Sequence, residues 1–592
     1  MNPRAVLAEC PLFARLGPVA LDALAARCEL VELPSGRTVI EQGTVCESVW
    51  IVAAGRLSAV LADGTVAGAI ARLEPVGEIS ALSGEPSVAS VHAIRDSLLL
   101  RIPANHLYAV VSQHPQALIE MTRVIIQRLR DNQRARHLER QRQMRCFAVV
   151  PATPAIDAVA VARQLASALS VTAACQPVLI DAAAVDAALG PGLSQTRIDG
   201  GEDNRRLVEH LNRIEAERTH LIYVAGGDAD PWARRCMRQA DRILFVVDTQ
   251  TPAIATAMVD ELRRCGARAP VDLVMLRPGG AQPDEVLRWR ERVGAGSHYY
   301  VRRDHDSDYA SLARQLTGRG VGLVLGGGGA RGFAHIGLLR ALRELQIPVD
   351  LVGGSSMGAF FAALVACGYD HHEMAHIARE TFVRQNHLND YLFPTIALIR
   401  GRKFVRRLRE IFDEQHIEAL RTPYFCVSTN LTRGAAVVHD RGPLYLWVAT
   451  SMAVPGVAPP VVWRGELLCD GAVVNSLPTD VMQQLERGPI IASDVSTEGG
   501  IAAPGIEGPD PEGLLRMKGD DERPRLFSIM FRTATLTSES GTAQRAARAD
   551  AYLRMPVSKV GMFDWKRMDE VVERGYEHAI EQLTPLVGRL LG

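Results

Sequence analysis

Short apolar runs of β type recur through residues 1–120, and glycines punctuate them at Gly36, Gly43, Gly55, Gly64, Gly77 and Gly84. Turn residues at such regular intervals predict a small β-roll flanked by helices. From 146 to 316 the rhythm changes. The runs CFAVV, PVLIDAA, HLIYVAGG, RILFVVDT and VDLVML alternate with helical segments, which is the pattern of a parallel α/β sheet. A second α/β block fills 317–500. A Pro/Gly/Asp-rich loop (503–525) and a helical C-terminus then make 501–592 a region of its own. Between the first two blocks, 121–145 predicts an Arg-rich connecting helix, with eight Arg after Met121 against two acids. That helix is either a solvated connector or a contact for anionic lipid or a second subunit. The expected fold class is therefore multidomain α/β.

Composition narrows the class without deciding it. At 592 residues the chain exceeds what one core supports. With 47% hydrophobic and 22% charged residues, it is neither disordered nor fibrous. The 66 Lys and Arg nearly balance 67 Asp and Glu, so no nucleic-acid partner is expected. The ten Cys are scattered, with no CxxC pair or Cys/His cluster at ligand spacing. No metal and no cofactor are expected, and the thiols read as the reduced ones of a cytoplasmic protein. The start has no apolar h-region of signal-peptide length. Residues 351–369 carry no charge and are long enough to mimic a membrane span. Their four Gly and Ser pair predict a buried strand, turn and helix instead. No transmembrane segment is expected, and any membrane contact would be peripheral, at the inner face.

The chemistry lies in the second α/β block. In the central block, the turn after the first strand is PATPAID (151–157), with neither glycine nor a P-loop Lys, so that block reads as a scaffold. In the second block, the run VGLVLGGGGARG (321–332) leads a strand into a glycine-rich turn and then a helix. Gly327, Gly329 and Gly332 match the dinucleotide fingerprint, but Asp350, the acid at the right distance, precedes the next strand and does not close it. What closes that strand is Gly354-Ser355-Ser356-Met357-Gly358, a G-x-S-x-G elbow. It needs small residues on both sides of the serine, and it points a helix N-terminus at developing negative charge. A third turn, Asp470-Gly471-Ala472, follows another strand. Only His578 lies beyond Asp470, in a polar helical segment, so a His-free Ser–Asp dyad fits better than a triad. Asp470 would accept the Ser356 proton, and backbone amides over 327–329 would hold the oxyanion. His335 reads as a packed core histidine. Arg331 either reaches an anionic head group or braces the glycine turn.

Together GGGGARG (326–332), GSSMG (354–358) and DGA (470–472) resemble the patatin-like phospholipases, Ser/Asp lipid acyl hydrolases. The segments 231–241 and 552–579 resemble the neuropathy target esterase family of lysophospholipases. LPSGRTVIEQG (33–43), WIVAAGRL (50–57) and GEISAL (77–82) resemble a cyclic-nucleotide-binding β-roll. The resemblance implies a cyclic-nucleotide-binding-like roll (1–120), the α/β inter-domain block (146–316) and a patatin-like α/β hydrolase domain (317–500). It implies a substrate of lysophospholipid or phospholipid at a membrane surface. Ser356 is then the nucleophile, Asp470 the base, and Gly327, Gly328 and Gly329 the oxyanion hole, with Arg331, Gly332, Gly354, Gly358, Gly471 and Ala472 supporting the motifs. In the roll, Glu78 could take a ribose hydroxyl, but Ser87 stands where ligand-binding rolls place an Arg for the cyclic phosphate. Cyclic-nucleotide binding is therefore not expected. A cyclic-nucleotide-responsive regulator with a relic hydrolase domain, and an oxidoreductase built on 327–332, remain alternatives. A homo-oligomer and a lid over 387–403 are left open.

Overall fold

A computed structural model of the chain describes residues 2–64, 66–114, 118–119, 121–125, 146–198, 201–217, 220–248, 252–254, 256–276, 283–385, 387, 389–393, 395–496, 508–517 and 526–591. Most of the Arg-rich connecting segment and of the loop at 503–525 lies outside the described residues. The chain divides into two compact units, Met1–Gly318 and Arg319–Gly592.

The first unit opens with the helices Pro3–Glu9 and Pro18–Ala25 and the strands β1 (Glu29–Leu33), β2 (Thr38–Ile40), β3 (Ser48–Ala54), β4 (Leu57–Val60), β5 (Val66–Ile70), β6 (Pro75–Val76), β7 (Ser90–Ala93) and β8 (Ser97–Pro103). They form two four-stranded antiparallel sheets, β1-β8-β3-β6 and β2-β7-β4-β5. Val49, Ile51, Leu57, Leu99 and Ile102 fill the space between them. All six punctuating glycines have positive φ, as tight turns between twisted strands require. Glu78 opens the helix Glu78–Ser83 and is buried. The Ser87 hydroxyl donates to the Ala89 carbonyl, 2.9 Å away.

The roll is joined to a parallel sheet of order β10-β11-β9-β12-β13-β14. Its strands are β9 (Cys146–Pro151), β10 (Val178–Ile180), β11 (Leu221–Val224), β12 (Arg242–Asp248), β13 (Val271–Leu276) and β14 (Ser297–Val301). The central strands are apolar on both faces because helices cover both. The seam is charged. Arg95, between β7 and β8, donates through Nη1 to Glu215 (2.9 Å) and to the Gln239 carbonyl (3.1 Å), and its Nε stands 3.1 Å from Asp241. Arg238 donates to Asp96 at 3.1 Å.

The second unit is a mixed sheet, β19-β20-β17-β16-β15-β21-β22, with β18 also pairing β17. Its strands are β15 (Gly322–Leu325), β16 (Leu351–Ser355), β17 (Tyr424–Asn430), β18 (Ala435–His439), β19 (Val461–Trp463), β20 (Glu466–Asp470), β21 (Ile490–Asp494) and β22 (Ala551–Arg554). The uncharged stretch at 351–369 is β16 followed by the helix Met357–Cys367, buried as expected. Among the described residues no helix is long and apolar enough to cross a membrane. One element departs from the sequence reading. The C-terminal region, expected as loop and helix, supplies β22, which extends this sheet parallel to β21. The helix Met568–Leu583 then packs on the helix Ala334–Glu344, where Arg340 meets Glu573 and covers the ring of Tyr576.

Candidate active site

Ser356 sits at the end of β16, where the chain turns sharply into the helix Met357–Cys367. Its φ of 54° and ψ of −124° are a conformation that costs a residue with a Cβ about 1–3 kcal/mol. The turn closes because Gly358 has no side chain. A Cβ there would stand 2.0 Å from the Leu325 carbonyl oxygen, and Gly354 packs directly against Gly358. The Ser356 amide donates to Ser451 Oγ (3.0 Å), and that hydroxyl donates to the Val427 carbonyl (2.6 Å). The elbow is thus tied to β17 and to the helix Leu444–Ser451.

Asp470 ends β20, which runs antiparallel to β17 with Ser428 paired to Asp470. The strand brings the acid down onto the elbow, and Ser356 Oγ donates to Asp470 Oδ2 at 2.6 Å. Asp470 Oδ1 accepts from the Ala472 amide at 2.8 Å, so Gly471 and Ala472 hold the carboxylate in place. The carboxylate has no exposed surface. Burial pushes its pKa up to about 7, against the opposing pull of the Ser356 hydroxyl and the Ala472 amide.

The glycine turn follows β15. Its amides are not equivalent. The Gly327 N–H donates to the Ser476 carbonyl (3.0 Å), and the Ala330 N–H to the Met562 carbonyl (2.8 Å). Among the described residues, the amides of Gly328 and Gly329 have no partner outside their own turn, and both residues line a cavity together with Ser356. This corrects the expectation that Gly327, Gly328 and Gly329 all donate to an anion. Gly327 is a packing position instead, where a Cβ would lie 3.0 Å from that of Ser356. Gly329 has φ +59°, and a Cβ there would meet the Met562 carbonyl at 2.4 Å. Gly332 packs against Met357.

Two charged or titratable side chains brace this turn. Arg331 is buried, its pKa lowered to about 10 by burial, and its Nε donates to the Gly328 carbonyl at 3.0 Å. Of its two readings, bracing fits this position. His335 is fully buried and hydrogen-bonds the Gly326 carbonyl through Nε2 (2.9 Å) and the Ser493 hydroxyl through Nδ1 (3.0 Å). The carbonyl can only accept, which puts the proton on Nε2. Burial lowers the pKa to about 4, so the ring is neutral. It is the core histidine expected. His578 is half-buried on the helix Met568–Leu583. Asp350 accepts the Val321 amide (2.9 Å) at the start of β16, at the opposite end of the sheet from the glycine turn. The dinucleotide reading of 327–332 therefore lacks its ribose acid.

The cavity beside Ser356 has a volume of about 220 Å³ and apolar walls, among them Phe382, Phe404, Met452, Val457 and Trp565. Phe382 is set into it by a π-turn, Arg379–Arg384, and stacks on Trp565 with ring centroids 5.0 Å apart. Ile399, Arg400 and Gly401 of the candidate lid also line it. Sequence reasoning assigned no role to Phe382, Met562 or Trp565, which come from segments far apart in the chain.

Three family models match the chain. A patatin-like phospholipase model matches 323–482, a cyclic nucleotide-binding domain model 30–114, and a neuropathy target esterase family P-loop-like domain model 143–303. An uncharacterized NTE family protein of Mycobacterium tuberculosis, MT2641, is 30% identical over 97% of this chain and 95% of its own length. Mouse patatin-like phospholipase domain-containing protein 7 is 29% identical over 93% of this chain, and human patatin-like phospholipase domain-containing protein 6 is 29% identical over 92%. The alignment spans 44% of the length of each of these two mammalian relatives.

Proposed function

Because this chain belongs to the neuropathy target esterase family and is a patatin-like lipid ester hydrolase, we propose that it cleaves the acyl ester of lysophospholipids with Ser356 and Asp470 as its reacting pair. The observation that carries this reading is the 2.6 Å contact between the two buried side chains beside an apolar cavity. Ser356 Oγ attacks the ester carbonyl carbon while Asp470 takes its proton. The oxyanion of the tetrahedral intermediate lies against the amides of Gly328 and Gly329. On collapse the glycerol oxygen leaves with the proton from Asp470, and the acyl group stays on Ser356. Water then attacks the acyl carbonyl, again giving a proton to Asp470. The second collapse frees the fatty acid and returns that proton to Ser356. A base with pKa near 7 is matched to neutral pH, because a large share of it is unprotonated there and it is still basic enough to accept. A cavity of about 220 Å³ with aromatic walls suits one acyl chain, which favours lysophospholipid over a two-chain lipid. The enzyme would meet this substrate peripherally, at the surface of a membrane.

The test is a substrate panel of lysophospholipid, phospholipid and triglyceride with wild type and Ser356→Ala, together with fluorophosphonate labelling. The expected result is preferred turnover of lysophospholipid, its loss in the variant, and a label on Ser356 but not on Ser355. A label elsewhere, or turnover surviving in Ser356→Ala, would end the assignment.

A further inference from the structure

The rim of the cavity carries apolar side chains into water from three separate loops. The first is pinned at its base by Asp390, whose carbonyl accepts from the Arg400 amide (2.8 Å) and whose carboxylate accepts from the amides of Gly401 and Lys403 (3.2 Å each). Its outer side is fixed by bonds from Leu398 and Ile399 to the carbonyls of Gly456 and Val457. Beyond this base Phe393 is 82% and Ile396 68% exposed, with Tyr391 and Leu398 exposed beside them. The second loop is the β19–β20 hairpin, which exposes Val462 and Trp463 next to the cavity residues Pro459, Pro460 and Val461. The third exposes Phe563, which lines the cavity itself. Apolar groups clustered on a monomer's surface mark an interaction site. Here all three loops also line the cavity.

The charges on the rim are mostly positive. Arg400, Arg402, Lys403, Arg464 and Lys566 are exposed around it. Of the nearby acids, Glu466 is paired with Arg433 and accepts from Asn430 (2.6 Å), Asp390 accepts the amides above, and the exposed Asp564 accepts the Gly561 amide (2.7 Å), which leaves the cations in excess. A second copy of the chain, seated rim to rim about a twofold axis, would set these cations against themselves. An anionic bilayer would not, and aromatic side chains beside Lys and Arg suit its interface.

We propose that this rim is a membrane-docking face, which seats on an anionic phospholipid leaflet with Phe393, Ile396 and Trp463 in the acyl boundary and the five cations at the head groups. The proposal rests on the reading of the Ser356 site as a lipid ester hydrolase. It adds where the lipid surface is met and why anionic lipid is favoured.

The test is flotation of the full chain with phosphatidylcholine vesicles, with and without phosphatidylserine, comparing wild type with the double variant Phe393→Asp, Ile396→Asp. Neither residue lines the cavity. Wild type should float with phosphatidylserine vesicles and come off as salt rises. The variant should partition at least about tenfold less, since each withdrawn side chain amounts to roughly that factor. Its turnover of vesicle-borne lysophospholipid should fall in parallel, while turnover of a short soluble ester stays at the wild-type level. Equal flotation of variant and wild type, or no flotation of wild type, overturns the proposal. So does a wild-type dimer that the double variant converts to monomer without change in flotation. Loss of soluble-ester turnover in wild type would instead count against the hydrolase reading, because flotation does not depend on chemistry.

Discussion

Replacing Asp470 by Asn should stabilise the catalytic unit while removing its activity. The side chain keeps its shape, its Oδ1 can still accept from the Ala472 amide, and Ser356 Oγ can turn to accept from the new amide. What disappears is a charge in a site with no exposed surface. In the folded protein burial raises this carboxyl from 3.8 to about 7. At about 1.4 kcal/mol per unit, ionising it there costs about 4 kcal/mol relative to the unfolded chain. The sign follows from a raised acid. Between pH 3.8 and about 7 the folded state holds a proton that the unfolded state has released. The stabilisation from the neutral acid is whole below 3.8, drains away as pH climbs toward 7, and is gone above it. Asp470→Asn has no such slope, so its advantage over wild type should be small near pH 4 and reach a few kcal/mol by pH 8. Hydrogen exchange of amides in β15 and β16, corrected for intrinsic rates, reads this unit alone. Ester turnover should drop by about 10² to 10⁴, the usual contribution of a general base. In wild type, turnover should rise with pH and level off above about 7, as the base loses its proton. A variant no more stable at pH 8 than wild type would refute the claim that desolvation makes Asp470 basic.

Ser356→Gly should raise stability by about 1–3 kcal/mol by relieving the positive φ, whereas Ser356→Ala should not; urea unfolding of the two variants distinguishes them, and equal stabilities would mean the elbow stores no strain. Arg95→Ala should destabilise the first unit by about 3–5 kcal/mol, because it leaves Glu215 buried without the cation it accepts from and Asp241 with only Arg56, 3.9 Å away. That loss should appear in the melting of the first unit while soluble-ester turnover stays near wild type; an unchanged melting curve would show that water relieves the seam.

The parts of the site that sequence made legible are those set by local sterics. GSSMG and DGA each describe a bend that only small residues can make, and the structure brings Ser356 and Asp470 together across 114 positions. The glycine turn was legible as a turn but not donor by donor. Whether Gly327 has a free amide depends on Ser476, a neighbour across the turn that no local pattern names. The same holds for β22. Four residues, AYLR, in helical surroundings become a strand only because β21 offers them an edge. The cavity walls were hidden for a third reason. Phe382 lies in a segment without a motif, Trp565 in one whose resemblance assigns it no role, and their stacking depends on a π-turn that periodicity cannot encode. In the roll, spacing marked the turn glycines well, but a lone Arg95 carries no sign that it will be buried.

The antiparallel course of β20 sets a counting rule on this enzyme's descent. Its register is fixed by pairs such as Asn430 with Leu468 and Ser428 with Asp470. One residue inserted after Leu468 would swing the carboxylate to the far side of the sheet, and two would return it to the near side about 7 Å out of place. Gains and losses around Arg464 and Gly465, at the tip of the hairpin, leave that pairing alone. Lineages are thus free to lengthen or shorten the end that carries Val462 and Trp463, while the five residues from Glu466 to Asp470 tolerate no change in number.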